Sequence, residues 1–188
     1  MAPQGGSDNL KCNFMRLFIV CCFAAALLGS GGLRAQSKSN DTTARYFIIQ
    51  ASIGNMQEVA LGRLAAQQAV SPEVKAFAGR MIADHTQAEA QLVQLIKSRG
   101  FQIPEEALAA PVDDPMLKNL PGKDFDRVYV HMMASGHGQT VQLFESYAVT
   151  GADPDVKAFA QQTLPIIKEH LSSIIGIAKN LDDPAANK

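Results

Sequence analysis

The strongest constraint on this chain is a histidine in the middle of an apolar helical stripe. If residues from Val74 onward are placed at 100° per residue, an apolar stripe forms within about 40° of Val74 and contains His85. A second such stripe near the C-terminus contains His170. The remaining members of the two stripes are Ala78, Met81, Ala88, Leu92 and Ile96, and Val156, Ala160, Ile167, Ile174 and Ala178. Because an apolar stripe faces the interior of a helical bundle, both histidines are predicted to be buried.

The two stripes belong to an internal repeat. Residues 72–78 read PEVKAFA and residues 154–160 read PDVKAFA. Each copy follows a capping residue, Ser71 or Asp153, and has proline in the first helical turn, where its missing N–H costs no hydrogen bond. Each copy therefore predicts the start of a helix.

Four long helices are predicted, over residues 44–70, 71–99, 124–149 and 153–181. The breaks after the first and third helices are short, which predicts two antiparallel hairpins. Residues 100–122 contain four prolines and form a long connection. At about 3.3 Å per residue it can return along the roughly 40 Å of the second helix. The prediction is an all-α, ferritin-like four-helix bundle of two antiparallel helical hairpins joined by a long crossover.

Two details of the helices carry further expectations. The first helix has two apolar stripes and is therefore predicted to pack against more than one neighbour. The weaker stripe contains Glu58, which is expected inside the bundle or on its seam. In the last helix, Pro165 is expected to produce a kink and to free the carbonyl group of Gln161. The stronger stripe of the first helix consists of Ile49, Ile53, Met56, Ala60 and Leu64, and the weaker one of Phe47, Ala51, Gly54, Leu61 and Ala65.

The N-terminal segment has the pattern of a secretory signal peptide. Lys11 and Arg16 precede an apolar run over residues 17–28, and Ala35 is a small residue suited to the cleavage point. The run is shorter than the roughly 20 residues that span a membrane. An uncleaved anchor, a lipoprotein and a start at Met15 are the alternatives. The organisation expected is a signal peptide at 1–35, a flexible leader at 36–43, the bundle at 44–181 and a flexible tail at 182–188.

Composition limits compartment and partners. All three cysteines precede residue 36, so the exported chain would contain no disulfide or thiolate metal site. The net charge of −1 gives no basic field for nucleic acid, and no membrane span is expected after cleavage. The chain is therefore predicted to be periplasmic or secreted, with an envelope partner as the expected kind of interaction.

Metal binding is one hypothesis for the buried polar residues. A di-iron bundle uses a Glu-x-x-His pair on two of its helices, and this chain has none. A mononuclear site is easier to form, because imidazole and carboxylate groups bind zinc, copper or iron. Nearby methionines, at positions 81, 132 and 133, favour Cu(I). The candidate metal ligands are His85, His137 and His170 with Glu58 or Glu89.

The other hypothesis is structural. His85 and His170 would be neutral and hydrogen-bonded to Glu58, Tyr129 or the Gln161 carbonyl group, and this network would set the register of the bundle. No arrangement of nucleophile and base and no glycine-rich phosphate loop occurs, so no catalytic or cofactor-binding residue is predicted. His131 is expected at the surface. The chain would then be a non-catalytic envelope or stress-related interaction domain; otherwise it is a metal-binding protein with a redox-related role.

These motifs resemble those of a known family. The pattern includes residues 54–62, 74–85, 125–137 and 159–171, with Glu58, Asp84-His85, His137 and His170 at fixed places. It is similar to an uncharacterised family of exported bacterial proteins, a domain of unknown function with a ferritin-like bundle, often labelled an outer membrane protein. The resemblance covers residues 44–181 and implies the fold and export. Met81-x-x-Asp84-His85 also resembles the Met-x-x-His-His motif of a neighbouring exported family linked to copper handling.

Overall fold

The structure is a computed structural model that describes residues 42–103 and 115–183. Within these residues the elements are α1 (Thr42–Gln68), α2 (Pro72–Arg99), α3 (Pro115–Lys118), α4 (Gly122–Thr150) and α5 (Pro154–Asp182), and none is a strand. The predicted signal peptide, most of the leader and most of the tail lie outside the described residues. None of the described helices is long and apolar enough to cross a membrane.

The predicted helix starts at the two repeated motifs are confirmed. The Ser71 hydroxyl oxygen accepts a hydrogen bond from the Val74 amide at 3.5 Å. The Asp153 carboxylate accepts from the amides of Asp155 and Val156 at 3.0 and 3.1 Å. Both side chains thus satisfy amide groups that a helix leaves without partners at its N-terminus. At the other end of α2, Gly100 adopts the left-handed conformation with φ of 64°, which ends the helix.

Contacts at the helix ends establish the topology. Arg45, near the start of α1, donates to the carbonyl oxygen of Gln102, beyond the end of α2, at 2.9 Å. The Asp126 carboxylate, near the start of α4, accepts from the backbone amides of Val70 and Ser71 in the α1–α2 turn. The chain therefore leaves α2 at one end of the bundle and begins α4 at the opposite end, as a crossover requires.

The four long helices form the predicted bundle of two antiparallel hairpins. Helix α1 packs along α2, and α4 along α5, while α1 also contacts α4 and α2 contacts α5. The buried apolar residues form two clusters. One, around Met81, Tyr129 and Ile174, lies toward the α1–α2 turn, and the other, around Phe47 and Phe144, lies toward the α4–α5 turn. His85, His137 and His170 each fall between the two clusters along their helices.

Both predicted stripes of α1 are at least partly buried, but the weaker one is the more buried. The stripe that begins at Ile49 is only half-buried, whereas the buried face includes Phe47, Ala51 and the polar residues Ser52 and Asn55. These polar residues are buried because hydrogen bonds to Glu89 and His85 satisfy them, a possibility that hydrophobic periodicity does not register.

One further detail differs from the expectations. The predicted irregular connection contains the short helix α3, whose Leu117 is buried, while residues 104–114 lie outside the description. Pro165 lies inside α5, as predicted, and the kink expected there stays a prediction. Pro165 itself is exposed, and so is Gln161, four residues earlier, whose backbone hydrogen bond the proline ring removes.

A first prediction concerns the attachment of α4 to the α1–α2 turn. The Asp126 side chain is 1% exposed, and its carboxylate accepts from the Val70 amide at 3.1 Å and from the Ser71 amide at 2.6 Å. Replacing Asp126 by Ala leaves both amides without this partner. The free energy of unfolding should fall by about 2–3 kcal/mol, measured by urea denaturation. Asp124→Ala, an exposed acid of the same turn, is the matched control and should cost under about 1 kcal/mol. Equal losses for the two variants would contradict the assignment.

Candidate metal centre

Three histidines from three helices meet in the middle of the bundle. His85 lies on α2, His137 on α4 and His170 on α5, and all are buried. Their ring centroids are 5.8, 5.5 and 5.6 Å apart, which makes a nearly equilateral triangle. One ligand nitrogen from each ring lies within 4.8 Å of the other two. The rings are therefore close enough to share one small ligand.

Each imidazole is held by a hydrogen bond through one of its two nitrogens. His85 Nδ1 is 2.9 Å from Asn55 Oδ1, and His137 Nδ1 is 3.0 Å from the carbonyl oxygen of Met133. His170 Nε2 is 2.8 Å from Asp84 Oδ2. Because carbonyl, amide and carboxylate oxygens only accept hydrogen bonds, each of these three nitrogens carries the proton of its neutral ring.

The orientation of Asn55 is itself fixed. Its Nδ2 donates to Glu89 Oε2 at 3.3 Å, and Glu89 Oε1 accepts from the Ser52 hydroxyl at 2.6 Å. Since a carboxylate can only accept, the amide oxygen of Asn55 must point toward His85. Glu89 therefore determines the tautomer of His85 through Asn55.

The second nitrogen of each ring is the unusual feature of the site. His85 Nε2, His137 Nε2 and His170 Nδ1 are buried and have no hydrogen-bonding partner among the described residues. Each carries a lone pair, because the proton is on the other nitrogen. An unpartnered buried polar atom costs about 1–3 kcal/mol, so three in one place call for an explanation.

The three rings border a cavity of about 90 Å³ that is lined by residues of all four long helices. A water molecule occupies about 30 Å³ of liquid volume, so the cavity is large enough for a metal ion with a water molecule, or for a small group of waters. The rings that carry the unpartnered nitrogens therefore adjoin a space that a ligand can fill.

Burial keeps the three imidazoles neutral. Burial, and then the neighbouring imidazoles of His137 and His170, lower the pKa of His85 to about 3. Burial also lowers the pKa of His137 to about 4, although the hydrogen bond to the Met133 carbonyl opposes the shift. Burial lowers the pKa of His170 as well, against the opposing effect of Asp84. All three rings thus offer a lone pair at neutral pH.

Glu58 of α1 lies beside this triangle. Its side chain is 13% exposed, its Oε1 is 3.5 Å from His137 Nδ1, and its Oε2 is buried without a partner among the described residues. Burial raises the pKa of Glu58 to about 8, so the carboxyl group is mostly protonated at pH 7. The Tyr129 hydroxyl also lacks a partner within the described part of the chain. Burial, and then the charge of Glu58, raise the pKa of Tyr129.

The structure brings together most of the residues that the sequence proposed. Glu58, His85, His137 and His170 line one cavity, whereas Glu89 lies behind Asn55 and does not line it. His131 is at the surface as expected, 3.0 Å from Asp182.

The expected hydrogen-bond partners of the histidines are corrected. Tyr129 and the Gln161 carbonyl group do not hold the rings; Asn55 and Asp84 do. Asn55 was missed because a polar residue in a helix normally indicates the exposed side. The available signal was the spacing of Ser52 and Asn55, which places two small polar side chains on one face of α1.

The next prediction is a stability maximum near pH 6.5 for the metal-free protein. Unfolded histidines take up protons below about pH 6.5, whereas folded His85 and His137 resist protonation down to about 3 and 4, so stability falls with falling pH. Glu58 acts in the opposite sense: between 4.5 and about 8 only the folded state holds its proton, so stability falls with rising pH. Below pH 6.5 two histidines outweigh one carboxyl group.

Urea denaturation at pH 5.5, 6.5 and 8 with a chelator present measures this maximum. The variant Glu58→Gln should retain the acid decline and lose the decline between pH 6.5 and 8. A variant that still loses the same stability above pH 6.5 would show that Glu58 is not its source.

Solved structures with the same fold are known. The chain is similar to a DUF305 protein from Streptomyces coelicolor, with 13% identity and a TM-score of 0.65 over 76% of this chain and 96% of that one. It is also similar to a DUF305 fragment from Deinococcus radiodurans, with 16% identity and a TM-score of 0.63 over 73% and 96% of the chains. A third similar structure is CopM in the Cu(I)-bound form, with 18% identity and a TM-score of 0.65 over 74% and 98%. At these identities the likeness shows the fold alone.

The sequence comparisons identify the family. No curated protein matches the chain. Residues 31–177 match the family described as "Domain of unknown function (DUF4142)", which confirms the resemblance to an uncharacterised domain. Because this match spans most of the sequence, the chain belongs to the DUF4142 family.

Proposed function

We propose that this protein binds a single copper ion, as Cu(I), through His85, His137 and His170. The observation that carries the proposal is that three histidines line one cavity and each has a buried ring nitrogen without a hydrogen-bonding partner among the described residues. A metal ion accepts all three lone pairs at once and removes the cost of leaving them unpartnered. No catalytic step is part of the proposal.

The geometry is close to that of a bound ion. Metal–nitrogen bonds of about 2.0–2.1 Å at tetrahedral angles place two ligand nitrogens about 3.4 Å apart. The nitrogens of the triangle lie within 4.8 Å of one another. Binding therefore requires the rings to approach by roughly 1 Å or less each, an adjustment that small side-chain rotations supply.

The groups behind the rings also suit a metal site. Metal-binding histidines usually donate their other N–H to a carboxylate or a carbonyl oxygen, which fixes the ring and raises its basicity. His170 donates to Asp84 and His137 to the Met133 carbonyl group. Asp84 is ionised: although burial raises its pKa, hydrogen bonds from His170 and Arg80 outweigh this and lower it.

The charge of the site favours a monovalent ion. The three proposed ligands are neutral imidazoles, which supply no negative charge to offset that of the ion. A buried charge that is not neutralised is costly, and the cost rises steeply with the charge, so Cu⁺ is better accommodated than Zn²⁺ or Fe²⁺. The similar CopM structures contain Cu(I), Ag and Cu(II), which supports copper as the first ion to test. The signal-peptide pattern of residues 1–35 supports binding in an exported chain.

The proposal predicts one Cu(I) ion per chain under anaerobic conditions, measured by competition with a chromogenic Cu(I) chelator. At a hundredfold excess over the dissociation constant, the ion should stabilise the fold by about 2.7 kcal/mol. His85→Ala and His137→Ala should abolish both effects. His131→Ala, which removes an exposed histidine, is the control and should bind copper as the wild type does.

The structural alternative gives a different result. If the histidines only set the register of the bundle, His85→Ala lowers the free energy of unfolding by about 1–3 kcal/mol. Copper then changes the stability of neither the wild type nor this variant. Tight one-to-one binding of Zn²⁺ without binding of Cu(I) would retain the site and refute the choice of ion.

A second prediction tests Asp84 as a positioning residue. Asp84→Asn replaces the ionised acceptor of His170 by a neutral one, and losses of about 10- to 100-fold in metal affinity are typical of such changes. The stoichiometry should stay at one ion. Glu169→Gln is the matched control, because Glu169 pairs with the same Arg80 but its side chain is 65% exposed. Equal affinity in the Asp84→Asn variant and the wild type would show that Asp84 does not support the site.

A further inference from the structure

A surface groove leads to the histidine cavity. Helices α1 and α4 border a groove of about 690 Å³. The groove and the cavity have five lining residues in common, and these form the junction between them: Gln50, Gly54, Glu58, Thr140 and Leu143. The junction is therefore the part of the wall where the histidines are nearest to this groove.

The backbone conformation of α1 at this junction does not require the glycine that is present there. A Cβ atom built at Gly54 would meet nothing within 4 Å, and one built at Gly136 on the facing helix would meet only Glu58 Oε1, at 3.9 Å. Neither residue has a positive φ, so an L-residue fits the backbone at both. Glycine inside a helix costs about 0.5–1 kcal/mol relative to alanine. What glycine provides here is open space.

The chemistry of the groove suits the passage of a cation. None of its described lining residues is a lysine, arginine or histidine, and Glu58 is the one carboxyl group among them. The thioethers of Met132 and Met133 and the amides of Gln57 and Gln139 also line it. Thioether sulfur is a soft ligand that selects Cu(I), and the amides offer neutral oxygen atoms.

The opposite side of the bundle is less favourable. A groove of about 510 Å³ lies between α2 and α5. Its charged lining residues are Glu73 and Arg80, of opposite sign, and Phe77 also lines it. The Phe77 ring packs edge-to-face against His137 and His170, with centroids 6.2 and 6.4 Å away. Phe77 therefore stands between this groove and the triangle. The cavity also reaches this side of the bundle near Ala88, beneath the exposed Gln87 and Gln91.

We propose that Cu(I) reaches the three histidines through the α1–α4 groove and passes the junction beside Gly54. The route rests on the proposed function, since it concerns loading of the same site. A route affects how fast the ion binds and leaves, whereas the ligands determine how tightly it binds. The two proposals can therefore fail separately.

The test is stopped-flow measurement of copper loading from a weak Cu(I) complex, and of copper removal by excess chelator, on the full-length protein. Gly54→Leu fills the junction and should slow loading and removal by tenfold or more, with the dissociation constant within about twofold of the wild type. Gly136→Leu on the facing helix should act in the same way, and it keeps the test decisive if the first variant fails to fold. Gly54→Ala should have a smaller effect.

A matched variant serves as the control. Gly176→Leu makes the same exchange at an exposed position in the α2–α5 groove, away from the cavity, and should load at the wild-type rate. Wild-type rates in both the Gly54→Leu and Gly136→Leu proteins, or equally slow loading in Gly176→Leu, would overturn the route while the proposed function stands. Absence of Cu(I) binding by the wild type at equilibrium would overturn both.

Discussion

The structure depends on how a bundle of apolar helices accommodates three neutral imidazoles at its centre. A neutral imidazole has one donor and one acceptor, and the protein provides for the donor of each ring. It does so in three ways: an amide oxygen, a backbone carbonyl group and a carboxylate. These three bonds decide which nitrogen of each ring faces a neighbouring group and which is left with a lone pair. The apolar clusters on either side then hold the rings in place.

A purely structural role does not account for the unpartnered nitrogens of the three rings. A network that only sets register gains most when every buried atom has a partner, since each unpartnered atom costs about 1–3 kcal/mol. Here the proton-bearing nitrogens are held through as many as two successive residues, as in the chain from His85 through Asn55 to Glu89. The lone-pair nitrogens, beside the same cavity, have no partner in the described part of the chain. This one-sided satisfaction is what a site for an electron-pair acceptor requires.

Most of the fold could be predicted from the sequence, because helical periodicity and capping are local signals. The repeated Ser-Pro-Glu and Asp-Pro-Asp starts located α2 and α5, and their apolar stripes correctly placed His85 and His170 in the interior. The partners of the rings could not be predicted in this way. Asp84 accepts a hydrogen bond from a histidine 86 positions away. Asn55 is a polar residue on the buried face of α1, where hydrophobic periodicity predicts an apolar one. Such pairings depend on how helices are rotated against one another, which no single helix specifies.

Two of the three histidines belong to the internal repeat, and the third comes from a helix outside it. His85 and His170 occupy related helices, but His170 lies 16 residues after its helix-starting proline and His85 only 13. The shift of nearly one turn accompanies a change in which nitrogen is held, Nδ1 in His85 and Nε2 in His170. Helix α4 adds His137, whereas its counterpart α1 contributes Asn55, which positions a ring, and Gly54, which leaves space. One hairpin thus provides two imidazoles, and the other provides the third together with α1, whose Glu58 lies beside the triangle.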